Sequence, residues 1–316
     1  MRWALLLMLV FAVVSLSGCV EQKKVLTIST TTSLYDTGLL EEVIAPEFKK
    51  YSGIDVRFIA KGTGAAIQDA MRGAADVIFV HAPEKELEFM KAGYGVNRKV
   101  IAYNFFVIVG PPSDPAGIKG LSPIEAMKKI AKLGREGKIV WVSRGDMSGT
   151  NVKEIQLWKL AGFDYDKLKN EGWMHLTGSG MGKTLLYASN INAYTLSDTG
   201  TYLKYKKLIK LEELVSKGEE LINIYSFIVV KNSKNFDAAM IMLRWLVSED
   251  GQNLIAQFGK DEFGKSLFNP ISKVDEKTRE WIVKYGFFED DGVKTECPKK
   301  FRLAANSLEF SEVKIQ

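Results

Sequence analysis

The sequence predicts an α/β protein of two lobes, each a doubly wound and mostly parallel sheet, with a ligand cleft between the lobes. Two observations indicate this fold. Short β-branched runs alternate with helical runs, which is typical of parallel βαβ units. Two long extended runs, 100–112 and 221–233, each leave one αβ series and begin another. We therefore interpret both runs as crossings between two lobes, with the second lobe inserted into the first. A cleft between hinged lobes is a natural ligand site.

The chain begins with residues typical of a secretory signal peptide. Arg2 precedes an apolar run, residues 3–14, that is too short to cross about 30 Å of hydrocarbon. The Leu-Ser-Gly-Cys run that ends at Cys19 resembles the lipobox of prokaryotic lipoproteins, whose Cys is lipidated. We therefore predict that residues 1–18 are removed and that acyl chains on Cys19 anchor the protein to the outer face of the cytoplasmic membrane. An ordinary signal peptide with a chance Cys is the alternative.

The first αβ series follows a short tether. Its strands are rich in β-branched residues, and its helices carry apolar residues at helical spacing. One helix ends at Gly53, and Pro83 stands at the first position of another. The predicted strands are 25–30, 54–60 and 76–80, and the predicted helices are 39–53, 64–75 and 83–95.

A second αβ series lies between the two crossings. Ser122 and Glu125 form a capping box with a Pro at the first helical position, so a helix begins there. A strand at 138–145, a helix at 148–162 and, after the second crossing, one long helix at 235–259 are also predicted. We assign residues 24–106 plus 226–275 to lobe 1 and 107–225 to lobe 2, and we leave the packing of the C-terminal extension, 276–316, unassigned.

The composition excludes several classes of function. The formal net charge is +5 with both signs mixed along the chain, so we expect no nucleic-acid partner. Apart from Cys19 the only cysteine is Cys297, so no disulfide can form within the lobes. Two histidines, His81 and His175, and one free thiol are too few for a convincing zinc site. We expect a monomer without a metal or cofactor.

Three hydroxyl-rich turns follow predicted strands. In an open parallel sheet such turns meet at one edge, where helix N-termini direct backbone N–H groups outward. Plain N-capping by Ser and Thr is the alternative, but capping one helix needs one hydroxyl and not several in a row. The turns are Thr30-Thr31-Thr32-Ser33, Gly62-Thr63-Gly64 and residues 143–150.

Arg144 gives the third turn its chemical character. It stands four residues before Ser148, at the same helix entrance as Gly149 and Thr150. A guanidinium, hydroxyls and helix-end N–H groups together favour a small tetrahedral oxyanion. Asp146 accepts hydrogen bonds only and would repel an anion, so we predict that it orients Arg144; a surface salt bridge of Arg144 is the alternative.

These turns resemble those of one family. The chain resembles the substrate-binding proteins of tungstate ABC transporters in five runs spread between about Val25 and Pro270. These runs are TTTS, GTG, DVIFVHAPE, SRGDMSGTN and NAYTLSDTGTYL. The resemblance implies the two-lobed periplasmic-binding-protein fold, no enzymatic activity, and a partner permease with a cytoplasmic ATPase. It implies an extracytoplasmic receptor for tungstate, and possible molybdate binding, whose ligands are Thr32, Ser33, Thr63, Arg144, Ser148 and Thr150. Secondary candidates are Thr31, Gly64, Gly149, Asp146 and His81.

The run TGSGMGKT, residues 177–184, raises a nucleotide-binding hypothesis. A Walker A loop needs Gly five residues before the Gly of Gly-Lys-Thr, and Thr177 stands there instead. Little nucleotide is available outside the cytoplasm, and the related proteins carry a similar loop without being ATPases. We therefore expect a Gly-rich helix entrance near the cleft, with Lys183 adding positive potential.

His81 bears on which anion is bound. Phosphate near pH 7 carries a proton, and phosphate-binding relatives place an Asp where our alignment places His81. A cleft lined only by hydrogen-bond donors favours a fully ionised dianion, such as tungstate, molybdate or sulfate, whereas a carboxylate in the cleft would repel such an anion. Bonding of His81 to the backbone is the alternative to direct contact with the anion. Receptors for molybdate, sulfate or phosphate, and a hydrolase that uses Ser148 with one His, are the alternative functions.

Overall fold

The computed structural model describes residues 24–304 and 308–315. The predicted signal peptide and Cys19 lie outside these described residues, so their removal and lipidation stay predictions. No helix of the described ranges is long and apolar enough to span a membrane.

The first part of the chain alternates strands and helices as predicted. The main difference is at 39–53, where one helix was predicted: the segment begins as a π-helical stretch, Leu39–Ile44, and becomes α-helical only at Ala45. The elements are β1 (Val25–Thr31), α1 (Thr32–Tyr35), α2 (Ala45–Ser52), β2 (Asp55–Lys61), α3 (Thr63–Met71), β3 (Val77–Val80) and α4 (Pro83–Lys91).

The middle of the chain repeats this alternation after one long strand. The capping box is present, because Ser122 Oγ accepts from Glu125 N and the Glu125 carboxylate accepts from Ser122 N. The elements are β4 (Gly95–Gly110), α5 (Pro123–Arg135), β5 (Trp141–Ser143), α6 (Gly149–Leu160), α7 (Tyr165–Leu168), β6 (Met174–Leu176), α8 (Met181–Asn190), β7 (Tyr194–Asp198), α9 (Thr199–Tyr205) and β8 (Glu212–Val215).

The last part begins with a second long strand. The single helix predicted at 235–259 is wrong: it is two helices that meet at Ser248, whose backbone is extended (ψ 167°) and whose Oγ accepts from Gly251 N. Ser248 thus caps a new helix instead of continuing the old one. The elements are β9 (Ile222–Val230), α10 (Phe236–Val247), α11 (Glu249–Gln257), α12 (Lys260–Phe263), β10 (Asn269–Pro270), α13 (Glu276–Gly286), β11 (Phe288–Asp290), β12 (Val293–Thr295) and β13 (Glu312–Lys314).

The strand order of the main sheet is β2-β1-β3-β9-β4-β7-β5-β6, with β8 and β10 also paired to β4. Parallel pairs occur at both ends, β1 with β2 and β3, and β5 with β6 and β7. The long strand β4 pairs with β9 as far as Phe105 and with β7 from Phe106 onwards. One hydrophobic core packs against the half of the sheet that contains β1 and β3, and a separate one packs against the half that contains β5 and β7. The predicted α/β class is confirmed, while the residue boundaries of the lobes stay a prediction.

The C-terminal extension packs on the lobe 1 half of the sheet. A bulge in β4 at Asn97 (φ 52°) breaks its pairing with β9 and directs Asn97 to the extension, where its side chain exchanges two hydrogen bonds with the Leu303 backbone (2.6 and 2.7 Å). Beyond the bulge, Lys99 Nζ lies 2.5 Å from Glu296 Oε1, in a pair that is almost fully buried. Strands β11, β12 and β13 form a separate antiparallel sheet.

Candidate anion-binding site

Lobe 1 contributes two helix N-termini to the cleft. At the end of β1, Thr31 caps α1 through a hydrogen bond from Leu34 N to Thr31 Oγ1 (3.3 Å). Ser33 Oγ lies 3.2 Å from Thr31 Oγ1, and both side chains are fully buried. At the end of β2, Thr63 is the first residue of α3, fully buried, and the N–H groups of Thr63 and Gly64 are in the first helical turn, where no intrahelical acceptor exists.

Lobe 2 contributes the guanidinium of Arg144. Its side chain is only 2% exposed, although its charge requires compensation. Nη2 lies 2.6 Å from Asp146 Oδ2, and Nε donates to the Ser179 carbonyl at 3.2 Å. Asp146 Oδ1 also accepts from Ser148 N (3.1 Å), so this carboxylate links the guanidinium to the start of α6. The ion pair expected between Arg144 and Asp146 is therefore present.

The start of α6 is built by its own cap. Ser148 Oγ accepts from Asn151 N at 3.3 Å, which leaves its hydroxyl proton available to another acceptor. Ser148 and Thr150 are both buried, and the N–H groups of Gly149 and Thr150 belong to the first turn of a 12-residue helix. The helix dipole and these N–H groups favour negative charge at this point.

Three buried donor atoms at the site have no hydrogen-bond partner among the residues that the structure describes. They are Thr63 Oγ1, Arg144 Nη1 and Thr150 Oγ1, one from lobe 1 and two from lobe 2. Buried polar side-chain atoms are otherwise almost always paired, because an unpaired one costs about 1–3 kcal/mol. The chemistry shared by these atoms is that each can donate to an acceptor, which fits an oxyanion held between the lobes.

The two lobes touch directly around these atoms. Arg144 Nη2 donates to Thr32 Oγ1 across the cleft at 3.2 Å. A Cβ on Gly149 would lie 2.3 Å from Cε1 of the His81 ring, so the α6 backbone contacts this ring at van der Waals distance. A Cβ on Gly62 would be 3.3 Å from the Asp146 carbonyl. The structure is therefore that of a closed cleft.

His81 lies behind the hydroxyls of lobe 1. Its Nε2 is 3.2 Å from Ser33 Oγ, and within the described part of the chain its Nδ1 and Asn223 Oδ1 both lack a partner in hydrogen-bond geometry. Burial lowers the pKa of His81 to about 3, against a smaller opposing effect of Asn223, so the ring is neutral at pH 7. The Nε2 contact is with the Ser33 side chain and not with the backbone, while direct contact of His81 with an anion stays a prediction.

The structure thus brings the predicted residues into one place. Thr31, Thr32, Ser33, Thr63 and Gly64 stand on the lobe 1 side, and Arg144, Asp146, Ser148, Gly149 and Thr150 on the lobe 2 side. Their assignment as ligands of an anion stays a prediction, since the contacts described are those of the protein alone.

Two carboxyl groups near Arg144 are absent from the sequence-based prediction. Asp198 caps α9 and is fully buried; both of its oxygens accept from Thr201, one from N (2.8 Å) and one from Oγ1 (2.7 Å). Asp36 follows α1. Burial raises the pKa of both groups, and the Arg144 charge opposes that rise. Asp198 belongs to the run NAYTLSDTGTYL, which is one of the runs that carry the family resemblance, so membership of this run was a usable signal.

The Gly-rich run 177–184 is explained by packing. Gly178 has φ 58°, and a Cβ on Gly182 would lie 2.2 Å from the ring of Tyr205, so α8 can approach α9 only with Gly there. Gly180 caps α8 beside Thr32 of lobe 1, which places the run at the cleft. The Lys183 side chain is exposed.

The hydrolase alternative has no matching geometry in the described residues. A serine nucleophile needs a base within hydrogen-bond reach. His81 Nε2 pairs with Ser33 and His175 Nδ1 with Tyr187, while Ser148 Oγ caps α6. Within the described ranges no group of three or more His, Cys, Asp or Glu could hold a metal ion.

Comparisons with known proteins agree with this architecture. A model of the PBP superfamily domain matches residues 20–250. The chain is 40% identical over 258 residues to the tungstate-binding protein TupA of Peptoclostridium acidaminophilum, which covers 79% of this chain and 87% of that protein. The chain belongs to the TupA family of the PBP superfamily. The predicted family resemblance is therefore confirmed.

Two solved structures extend the match to the fold. TupA from Desulfovibrio alaskensis G20 is 39% identical, with a TM-score of 0.66 over 78% of this chain and 98% of that one. The tungstate ABC transporter protein of Geobacter sulfurreducens is 40% identical, with a TM-score of 0.66 over 74% of this chain and 98% of that one. The two-lobed periplasmic-binding-protein fold that was predicted for this chain is therefore confirmed.

Proposed function

We propose that this chain is the extracytoplasmic substrate-binding lipoprotein of an ABC importer and that it captures tungstate between its two lobes. The TupA relatives described above are tungstate-binding proteins by name. The chain acts in this proposal as a receptor and not as an enzyme. Lipid on Cys19 tethers the monomer to the outer face of the membrane, where it delivers the anion to a permease with a cytoplasmic ATPase.

One observation carries the proposal: the unpaired buried donors Thr63 Oγ1, Arg144 Nη1 and Thr150 Oγ1. A tetrahedral oxyanion offers four acceptor oxygens, enough for all three atoms and for N–H groups of α3 and α6. Thr32, Ser33 and Ser148 complete the proposed ligand set, with Thr31, Gly64, Gly149 and His81 supporting them. Asp146 orients the guanidinium, whose Nε and Nη2 are held by protein groups so that Nη1 is left to donate to the anion.

The donors favour a dianion over protonated phosphate. Selection of phosphate profits from a carboxylate that is free to accept the phosphate proton. Both oxygens of Asp198 already accept from Thr201, and both those of Asp146 are used by Arg144 and Ser148, so neither of these carboxylates is free for that proton. The third carboxyl group near Arg144, Asp36, is not among the proposed ligands. Tungstate and molybdate have the same charge and nearly the same size, so the preference for tungstate rests on the named relatives.

Binding is coupled to closure in this proposal. The donors come from both lobes, so neither lobe alone presents a complete site to the anion. The closed state consequently binds far better than an open one, and the anion shifts the population towards the form that the permease recognises.

The test is isothermal titration of the purified, anion-stripped protein with tungstate, molybdate, sulfate and phosphate in turn. We expect tight one-to-one binding of tungstate, weaker binding of molybdate and no heat from phosphate. Tighter binding of sulfate or phosphate would contradict the proposed specificity while keeping a two-lobed oxyanion receptor. Absence of binding by all four anions would contradict the receptor itself.

A further inference from the structure

The C-terminal extension lies past the end of the superfamily match at residue 250. It is anchored firmly to lobe 1 by groups that water does not reach. Glu296 accepts from Lys99 Nζ and from the backbone N of Val100 (2.9 Å), and its carbonyl accepts from Arg98 Nη1 (2.7 Å). Because breaking such buried pairs is strongly destabilising, the extension is a fixed part of lobe 1.

Helix α13 of this extension covers the place where the chain crosses between the lobes. Ile282 of α13 packs in one cluster with residues of both crossing strands, Tyr103 of β4 and Ile224 of β9 among them. A Cβ on Gly286 would lie 2.7 Å from Ile224 Cδ1, so the end of α13 approaches β9 as closely as Gly allows. Trp281 meets the ring of Phe105, the last β4 residue paired with β9, edge to face at 6.3 Å.

The end of α13 also contacts lobe 2. Lys284 forms an ion pair with Glu219, and Tyr285 donates from its hydroxyl to the same carboxylate at 3.3 Å. Glu219 begins a short 3-10 turn whose third residue, Leu221, is fully buried in the lobe 2 core. The contacts of Glu219 therefore join an element fixed to lobe 1 with an element fixed to lobe 2.

A second contact leads from α13 to the anion site. The Lys153 ammonium lies 5.4 Å from the centre of the Tyr285 ring and 5.9 Å from that of Phe106, and it donates to the Glu220 carbonyl at 2.9 Å. Lys153 stands in the first turns of α6, one turn after Thr150. Movement of α6 away from lobe 1 would therefore have to change the packing of Lys153 on Tyr285.

We infer that α13 is a brace across the hinge, and that Glu219, Lys284 and Tyr285 are positioning residues that determine how tightly the anion is held. The inference rests on the proposed function, because it concerns the affinity of the cleft. The brace contacts are present together with the contact between Arg144 and Thr32 that marks the closed cleft. Contacts made in the closed state stabilise that state, so losing them favours opening and release.

The test is a charge reversal and its rescue. We expect Glu219→Lys, which places two cations side by side, to weaken tungstate binding about fivefold, mainly through faster dissociation. The double variant Glu219→Lys with Lys284→Glu restores opposite charges and should recover most of the affinity. Stopped-flow release measures the dissociation rate of tungstate, and isothermal titration measures its affinity, both on the full-length chain.

The matched control is Glu47→Lys, which breaks a similarly exposed ion pair with Lys50 inside lobe 1, away from the hinge. We expect it to leave dissociation unchanged, and we expect the melting temperature of the anion-free protein to be the same in all variants. Wild-type dissociation in Glu219→Lys, or no recovery in the charge swap, would overturn the inference. If the proposed function itself is wrong, the wild-type protein will bind none of the four anions, and this result is distinct from any difference between variants.

Discussion

The two sides of the cleft contribute different chemistry. The residues proposed to bind the anion from lobe 1 are Thr32, Ser33 and Thr63, which carry hydroxyls and no charge. Lobe 2 provides Arg144, held in place by Asp146 and by the Ser179 carbonyl. Lobe 1 thus supplies a neutral set of donors with fixed geometry, and lobe 2 supplies the charge. The difference teaches that, in the proposed site, the charge and the lobe 1 hydroxyls can be removed independently by substitutions in different lobes.

Each side of the cleft also has one buried titratable group behind it, and burial shifts the pKa values of the two groups in opposite directions. His81 supports Ser33 in lobe 1, and burial lowers its pKa to about 3. Glu154 of α6 lies in lobe 2, where Trp141 Nε1 and Ser143 Oγ donate to it at 2.7 Å each. Burial raises the pKa of Glu154 to about 7, although these hydrogen bonds lower it. At neutral pH a weakly basic ring and a weakly acidic carboxyl therefore support the two sides.

Removing the charge from lobe 2 should have the largest effect on binding. We expect Arg144→Ala to lose about 1.5–3 kcal/mol of binding free energy, roughly ten- to hundredfold in tungstate affinity. Titration calorimetry measures the change, and Arg135→Ala, an exposed arginine of lobe 2 paired with Glu171, is the control. Wild-type affinity in Arg144→Ala would show that the charge of lobe 2 does not hold the anion.

The two buried groups should give opposite pH dependence of stability. The unfolded His81 takes up a proton below about pH 6.5 and the folded one only near pH 3, so its contribution is lost as pH falls. The folded Glu154 binds its proton up to about pH 7 and the unfolded one only to about 4.5, so its contribution is lost as pH rises. Each amounts to about 2 kcal/mol between pH 7.5 and 5.

These two contributions nearly cancel in the wild-type protein. Relative to wild type, we therefore expect His81→Asn to gain about 2 kcal/mol in the free energy of unfolding as the pH falls from 7.5 to 5, and Glu154→Gln to lose about 2 kcal/mol. Urea unfolding at several pH values measures both slopes. Parallel pH profiles for the two variants would contradict the lowered pKa of His81 and the raised pKa of Glu154.

The smallest effects should come from the unpaired hydroxyls. Thr63→Val and Thr150→Val remove one from each lobe without changing the side-chain shape, and we expect each to cost about 0.5–1.5 kcal/mol of binding, roughly two- to tenfold. Anion-free stability should stay the same or rise, because a buried unpaired group is lost. The control is Thr195→Val, whose hydroxyl donates to the Val142 carbonyl at 2.7 Å.

Thr195→Val should lower the melting temperature and leave tungstate affinity unchanged, the reverse of the other two variants. Loss of affinity in only one of Thr63→Val and Thr150→Val would indicate that the hydroxyls of the two lobes are not equivalent. Calorimetric titration and thermal unfolding of the same preparations separate these outcomes.

Most elements could be predicted from the sequence because their signals are local. The capping box at Ser122 and the Pro at position 83 mark helix starts that the structure contains. The turns after β1 and β2 could also be brought together, since carboxyl ends of neighbouring parallel strands share one edge. The turn after β5 belongs to the second lobe and meets them across the predicted cleft. The break at Ser248 was missed because the apolar spacing continues on both sides of it.

Contacts between distant parts of the chain could not be predicted in the same way. Nothing local to Asp198 shows that a neighbouring strand places it beside Arg144. The extension gave no interpretable signal, because its anchors pair Lys99 with Glu296, which are 197 residues apart. The role of His81 beside Ser33 also depends on the lateral order of β1 and β3, which a sequence pattern does not specify.

Gly149 works as the spacer of the closed cleft. Its missing side chain leaves room for the imidazole of His81, so the two lobes approach each other closely at this position. A larger residue there would overlap with the His81 ring, and the two lobes would have to stay further apart as the volume of its side chain increases. In the proposed receptor, substitutions of increasing size at this residue should therefore shorten the time for which the anion stays bound.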